Sequence, residues 1–490
     1  MIGRRAGKRG FPILPTTISS QELGNVMTES ERTLLRADVL RQDPRLEQAM
    51  QLLRDAVTDA QAPLNKVCRP QSGRTIEYEE LLDRLAAGRG GKTYFPYLSS
   101  GLGNGPWVEL DDGSVKLDFI TGIGVHGMGH SNLDLVTAGV RAALQDTVMQ
   151  GNLQQNPPTV HVLERLLALA RQHGAPLGNC LLTTSGAMAN ENALKIAFYN
   201  RAPADRIIAF DNCFAGRSIA MAQLTDRPKY RTGVPTALAV DYIPPSDAEN
   251  SAESIERSVA ALDKQLKRHP GKYAALWMEL VAGEGGYYPG STEFFTALIE
   301  RANQDDVLII FDEVQSFGRL SRPFAMQHFQ LDQYADIVTI GKISQLCATF
   351  YRETLHPKDP LLSQTFTAAS SAIEACLVLL DQMEQGSMFG PEGTNMQIHH
   401  HFASGLQRLA EQYPGQISGP FGAGMMIAFT PGDGSANAAS ELVHRMFAAG
   451  LMGFVAGGNP ARIRFLPPPT VTKLEHVDAA LAILGSILAD

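Results

Sequence analysis

Five short, unbroken apolar runs constrain this chain more than any other feature. They fall at residues 180–183, 207–210, 274–280, 307–311 and 337–340, with helix-length segments between them. A strand with one wet face alternates apolar and polar residues, whereas a strand covered on both faces has no need to alternate. Buried strands separated by helices predict an α/β domain built on a mostly parallel sheet. With 490 residues the chain is too long for one core, so more than one domain is expected. The pattern changes at about three places. Residues 1–90 read as a helical N-terminal extension, 91–150 as the first part of a smaller domain, 151–380 as the large domain, and 381–490 as a C-terminal α+β part of the smaller domain.

The smaller features have local readings. Thr28 and Glu31 form a capping-box pattern ahead of Leu34, Leu35 and Leu40. Residues 107–110 and 115–119 flank Asp112-Gly113, a hairpin signal. The glycines at 122, 124, 127 and 129 imply tight turns or a close approach of backbone to a ligand. After residue 380 a helix, a glycine-broken strand region near 422–429 and a last helix are expected. That last helix carries Val477, Leu481, Leu484 and Leu488 on one face.

Charge and cysteine usage exclude several function classes. A formal net charge of −9 disfavours a broad nucleic-acid surface. No apolar run approaches the ~20 residues of a membrane-spanning helix. The first ten residues are basic (Arg4, Arg5, Lys8, Arg9) but precede no apolar signal-peptide core. Five scattered cysteines without CxxC pairing suggest neither a disulfide framework nor a zinc site. A reducing compartment, the cytoplasm, is expected. Residues 399–401 are three consecutive histidines on an expected helix; neighbours in sequence point to different sides, so no metal site is expected.

Three constellations carry chemistry. Ser185-Gly186-Ala187 follows a strand and opens a helix, where free N–H groups bind phosphate; taken alone, Ser185 is also an ordinary N-cap. Asp312 ends a buried strand, at the edge where open α/β sheets bind ligands. There it is placed to hold a metal or a protonated heterocycle, or to cap the next turn. Lys342 follows the apolar strand 337–340, and a pocketed amine forms a Schiff base with a carbonyl cofactor.

Phosphate cup, strand-end Asp and strand-end Lys occur in that order, about 125 and 30 residues apart. This order resembles the fold-type I pyridoxal-phosphate enzymes, specifically the class III aminotransferases of the ornithine, acetylornithine, lysine and 4-aminobutyrate group. Segments 122–130, 279–286, 365–366 and 463–468 resemble further family motifs, and the likeness covers roughly residues 100–490. It implies a fold-type I architecture whose cofactor domain is 151–380, with pyridoxal 5'-phosphate as cofactor. Lys342 would hold the cofactor as a Schiff base and shuttle a proton; Asp312 would pair with the ring nitrogen; Gln315 would bond the phenolic oxygen. Phe214 would stack on the ring, Ser185, Gly186 and Ala187 would hold the phosphate, and Thr365 would reach it from the other subunit of a homodimer. Glu284 and Arg464 would form the substrate pair.

The chain departs from the family where Ala215 replaces a histidine, where Met188 replaces a glutamate, and where 343–347 replaces a glycine-rich stretch. The expected activity is amino transfer from an amino acid or ω-amine to a 2-oxo acid such as 2-oxoglutarate, by a ping-pong cycle. An aminomutase or racemase of the same fold, or a cofactor-binding scaffold without catalysis, are the alternatives.

Overall fold

A computed structural model describes residues 35–247, 251–358 and 360–489. The expected capping box at Thr28–Glu31, Leu34 and the basic first ten residues lie outside them. The chain divides into two compact units, residues 1–53 and 54–490. Helix Arg36–Arg41 lies in the first, where Leu35 and Leu40 are exposed. Helices Pro44–Gln61 and Thr75–Arg89 follow it.

The second unit is organised on a seven-stranded sheet. Its strands are β1 (Leu177–Thr183), β2 (Arg206–Phe210), β3 (Ala239–Ile243), β4 (Tyr273–Met278), β5 (Leu308–Glu313), β6 (Ile337–Ile340) and β7 (Cys347–Arg352), in the spatial order β1-β7-β6-β5-β4-β2-β3. All neighbours pair in parallel except β7, which is antiparallel to both β6 and β1. Strands β4, β5 and β6 are buried at every position, which is why their sequences read as unbroken apolar runs. Ala193, Ile196 and Ala197 of helix Gly186–Asn200 share a core cluster with Trp277, Ile310 and Ile337, so that helix covers one face of the sheet.

The five expected strands are present, with two additions. Strand β3 lies at the sheet edge and is half-buried, with Asp241 breaking its apolar run. Strand β7 returns antiparallel just beyond Lys342. Two boundaries moved in a consequential way. Strand β5 continues past the expected residue 311 and takes in Asp312 and Glu313, in register with Thr339 and Ile340 of β6. Strand β4 ends at Met278 rather than residue 280, because Glu279 leaves the ladder and its carboxylate accepts the N–H groups of Phe214 (2.9 Å) and Gly283 (3.0 Å).

The smaller elements flank this sheet. The expected hairpin pairs Trp107–Leu110 with Val115–Asp118, and its turn places Gly113 at φ 79°, a conformation few other residues tolerate. Near the C-terminus Ile417–Ala423, Met426–Pro431, Ala461–Phe465 and Phe454–Gly457 form a four-stranded antiparallel sheet. The last helix, Leu474–Ala489, buries Val477, Leu481, Leu484 and Leu488 as the sequence pattern requires. Among the described residues no helix is long and apolar enough to cross a membrane.

Candidate active site

The candidate site forms where β1, β5 and β6 reach the same edge of the sheet. A parallel strand delivers the residues after its last apolar position to that edge, so Ser185, Asp312 and Lys342 converge from distant parts of the sequence.

Asp312 is buried, and both of its oxygens are held. Val314 donates its N–H to Oδ1 (2.9 Å) and Asn190 donates its amide to Oδ2 (2.7 Å). Asn190 is itself fixed: its Oδ1 accepts from the Thr339 hydroxyl (2.8 Å), and its Nδ2 also donates to Ala215 O (2.9 Å). The orientation of Asp312 is therefore set by a short relay from the neighbouring strand through the helix. Burial pushes its carboxyl up to about 6, against the opposing pull of the Val314 and Asn190 hydrogen bonds and the charge of Lys342. No arginine or lysine forms an ion pair with it among the described residues, so a cationic ligand atom would supply the charge it lacks.

Lys342 follows β6 in a turn that holds its own backbone at φ 57°. Burial pulls its ammonium below the usual lysine range, only partly opposed by Asp312 and Glu284. A half-buried amine with a lowered pKa is more often unprotonated at neutral pH, and so a better nucleophile and base there, than a solvated one. Ile343 beside it packs against Gly127, where an added Cβ would lie 2.2 Å from Ile343 Cγ1. The 122–129 segment thus packs against the lysine turn, while Gly122, Gly124 and Gly129 stand at positive φ, as the expected tight turns require.

Ser185 caps helix Gly186–Asn200, its hydroxyl accepting the N–H of Met188 (3.2 Å). The remaining N–H groups of a first turn have no helical acceptor and carry partial positive charge. A Cβ at Gly186 would meet Val314 Cγ1 at 2.7 Å, so this helix end lies tight against the loop after Asp312. Loss of the cap in Ser185→Ala should lower the unfolding free energy by about 1 kcal/mol, read from urea unfolding midpoints of the cofactor-free protein.

Gln315 and the Glu284–Arg464 pair lie close together. Arg464 is fully buried on strand Ala461–Phe465; its Nη2 donates to Glu284 Oε1 and its Nη1 to Gly283 O (3.1 Å). Nη1 also lies 3.5 Å from Gln315 Oε1, which leaves the Gln315 NH₂ group free as a donor. Burial opposes ionisation of Glu284, but the Arg464 charge and hydrogen bond outweigh it and hold the carboxyl below its usual range. Removing one partner of such a pair leaves a buried charge uncompensated, at a cost of roughly 3–5 kcal/mol.

Two other expected residues make no side-chain hydrogen bond to this cluster among the described residues, although the Phe214 backbone is tied to it through Glu279. Phe214 is half-buried on the loop beyond β2, its ring edge-on to Tyr230 at 6.1 Å. Thr365 is exposed, as is Phe366, and among the described residues it makes none of the contacts above. Ala215 is buried with its N–H on Thr225 Oγ1 (2.9 Å). The three histidines diverge: His399 bonds Gly424 O while His401 reaches Asp478. No group of three or more metal-ligating side chains occurs among the described residues.

Several contributors escaped the sequence reading. Asn190 lies one helical turn into the phosphate motif, and Thr339 is the lone polar residue of an apolar strand; both positions carried a signal that went unread. Glu279 was visible only as part of a motif, yet it anchors the Phe214 and Gly283 backbones. Arg217, with its guanidinium 4.7 Å from the Tyr230 ring, adds positive charge acting on Glu284.

The residues fit pyridoxal phosphate. Asp312 suits a protonated pyridine nitrogen, Lys342 an aldehyde, the Gln315 amide a phenolic oxygen, and the helix N-terminus a phosphate.

Comparison with known proteins agrees. The sequence model of "Aminotransferase class-III" matches residues 92–488. The chain is 30% identical to acetylornithine aminotransferase of Bacillus subtilis over 399 residues, covering 78% of this chain and 93% of that one. It is 29% identical to the enzyme of the same name from Gloeobacter violaceus over 401 residues, covering 79% and 92%. Lysine aminotransferase from M. tuberculosis, solved in the internal aldimine form, superposes with a TM-score of 0.74 at 23% identity, covering 83% of this chain and 98% of that one. At that identity the superposition shows the fold, which is that of the fold-type I aminotransferases.

Proposed function

The chain belongs to the class-III aminotransferases, and from this premise we propose that it moves an amino group from an amino acid or ω-amine to a 2-oxo acid, 2-oxoglutarate first among them, with pyridoxal phosphate held on Lys342. The observation that carries this reading is the placement of Asp312 at the end of β5 and of Lys342 in the turn just after the neighbouring β6, at one sheet edge: a buried carboxylate with no ion pair among the described residues, near an amine whose pKa is lowered.

Pyridoxal phosphate, when bound, supplies an aldehyde that condenses with amines and a ring that draws electrons from the carbon bearing the nitrogen. The side chains divide the remaining work. Lys342 Nζ would hold the aldehyde end of the cofactor and, when not so engaged, would serve as the base that carries a proton. Asp312 would face the ring nitrogen and, once ionised, would favour its protonated form. The Gln315 NH₂ group would hold the ring's phenolic oxygen, Phe214 would cover a ring face, and Ser185, Gly186 and Ala187 would hold the phosphate end.

Arg464 and Glu284 let one pocket serve two substrates. A guanidinium binds a carboxylate through two parallel hydrogen bonds, so Arg464 takes the α-carboxylate of a 2-oxo acid. An ω-amine donor brings no charge to that point, and Glu284 then neutralises the arginine. The names of the similar proteins, acetylornithine and lysine aminotransferases, support an ω-amine donor. Thr365 and Phe366 are exposed on the single chain, which supports a homodimer in which Thr365 serves the second copy's phosphate. The five free cysteines suit a reducing compartment such as the cytoplasm.

Each half of the cycle is measurable alone. Holoenzyme mixed with acetylornithine, lysine, ornithine or 4-aminobutyrate should shift from aldehyde to amine absorbance, and 2-oxoglutarate should restore it. A holoenzyme that shifts with none of these donors would overturn the donor class. In Arg464→Lys the 2-oxoglutarate half should lose roughly 10²-fold or more while the ω-amine half loses far less, because lysine cannot present the paired donors. Equal losses in both halves would mark the Glu284–Arg464 pair as structural.

A further inference from the structure

Strand Ala461–Phe465 carries two buried arginines at alternate positions, Arg462 and Arg464, and the two-residue period of a strand points both to one face. Only Arg464 matches the family's substrate motif. Arg462 is 4% exposed, and its guanidinium carbon lies 3.9 Å from the ring centroid of Tyr288 and 3.5 Å from that of Phe421. Its Nη1 donates to Gly286 O at 2.7 Å.

These contacts meet on the short turn Gly283–Gly286, which bears Glu284. Arg464 holds the first residue of the turn through Gly283 O, and Arg462 holds the last through Gly286 O. The exit is tightly specified: Gly286 stands at φ 115°, and an added Cβ would lie 3.3 Å from the Tyr288 ring and 3.4 Å from Arg462 Cδ. Phe421 belongs to strand Ile417–Ala423, so the stacked guanidinium ties the turn to the C-terminal sheet. A four-residue turn cannot shift at one end without moving the carboxylate it carries.

We propose that Arg462 is a positioning residue for Glu284: by fixing the end of the turn it lets Glu284 reach Arg464, and it thereby sets the preference between ω-amine and α-amino-acid donors. This rests on the reading of Glu284 and Arg464 as the substrate pair. Arginine is required because one planar cation stacks on two rings while its edge donates to a carbonyl; lysine keeps the charge but not the plane.

The test uses holoenzyme and two half-reactions, followed by the cofactor spectrum, with 4-aminobutyrate as the ω-amine and glutamate as the α-amino acid. Arg462→Met should lower the 4-aminobutyrate rate relative to the glutamate rate by on the order of tenfold, the scale of coupling between contacting side chains. Arg462→Lys and Phe421→Leu, which each keep part of the stack, should shift the ratio the same way by less, and either serves if the methionine variant does not fold. In a Glu284→Ala background Arg462→Met should add no further shift. Equal losses in both half-reactions, or an unchanged ratio, would overturn the role. If Glu284→Ala moves the ratio and the Arg462 and Phe421 variants do not, the positioning role alone fails. If Glu284→Ala leaves the ratio unchanged, the substrate-pair reading fails and takes this one with it.

Discussion

Replacing Lys342 with alanine should lower transamination by about 10⁴-fold or more, the largest loss expected of any single change. On the proposed reading two tasks fall on this one amine: holding the aldehyde and moving the proton. The protein should nevertheless fold and bind the cofactor, because Asp312, Gln315 and the helix N-terminus remain. Its absorbance should be that of free aldehyde rather than of the lysine-bound form, and adding a small external amine should restore a minor part of the rate. Full activity in this variant, measured by product formation from 2-oxoglutarate, would exclude Lys342 as the essential base.

Asp312→Asn should cost roughly 10²-fold or more in turnover, since it removes the charge proposed to face the ring nitrogen while keeping the side-chain shape. The same change has a separate signature in the cofactor-free protein. The Asp312 carboxyl is raised from 3.8 to about 6, chiefly by burial. The folded form therefore holds this proton more tightly than the unfolded form does. The resulting stability is fully present below pH 3.8 and is lost as the pH rises through about 6. Asparagine has no such proton, so this part of the pH slope of stability should vanish in the variant. Cofactor binding runs the opposite way in wild type, strengthening as the pH rises through about 6 and the carboxylate forms. Calorimetric unfolding across this range, with and without cofactor, reads both effects.

Much of the fold was legible because β4, β5 and β6 are covered on both faces and so spell themselves as apolar runs. Strand β3 was not, because an edge strand interrupted by Asp241, which is paired with Arg206, carries no such run. Strand β7 hides for a different reason. Its sequence, Cys347–Arg352, is as apolar as its neighbours at most positions, but it begins only five residues after Lys342 and overlaps the 343–347 segment, which was read only as a departure from the family's glycine-rich stretch. The principal site residues were legible where a strand end and a motif coincide, at Ser185, Asp312 and Lys342. What sequence could not give is the orientation of Asp312 by Asn190 and Thr339, because that relay joins a helix to a strand about 150 residues away. The grip of Arg462 on the Glu284 turn was equally hidden, since Tyr288 and Phe421 meet only once the sheets are assembled.

Chemical reduction of the holoenzyme followed by peptide mapping tests the central claim most directly. Borohydride should fix the cofactor irreversibly, and the added mass should map to the peptide containing Lys342, with no labelled peptide recovered from Lys342→Ala. A label on any other lysine, or no label from protein that carries the cofactor, would contradict the account.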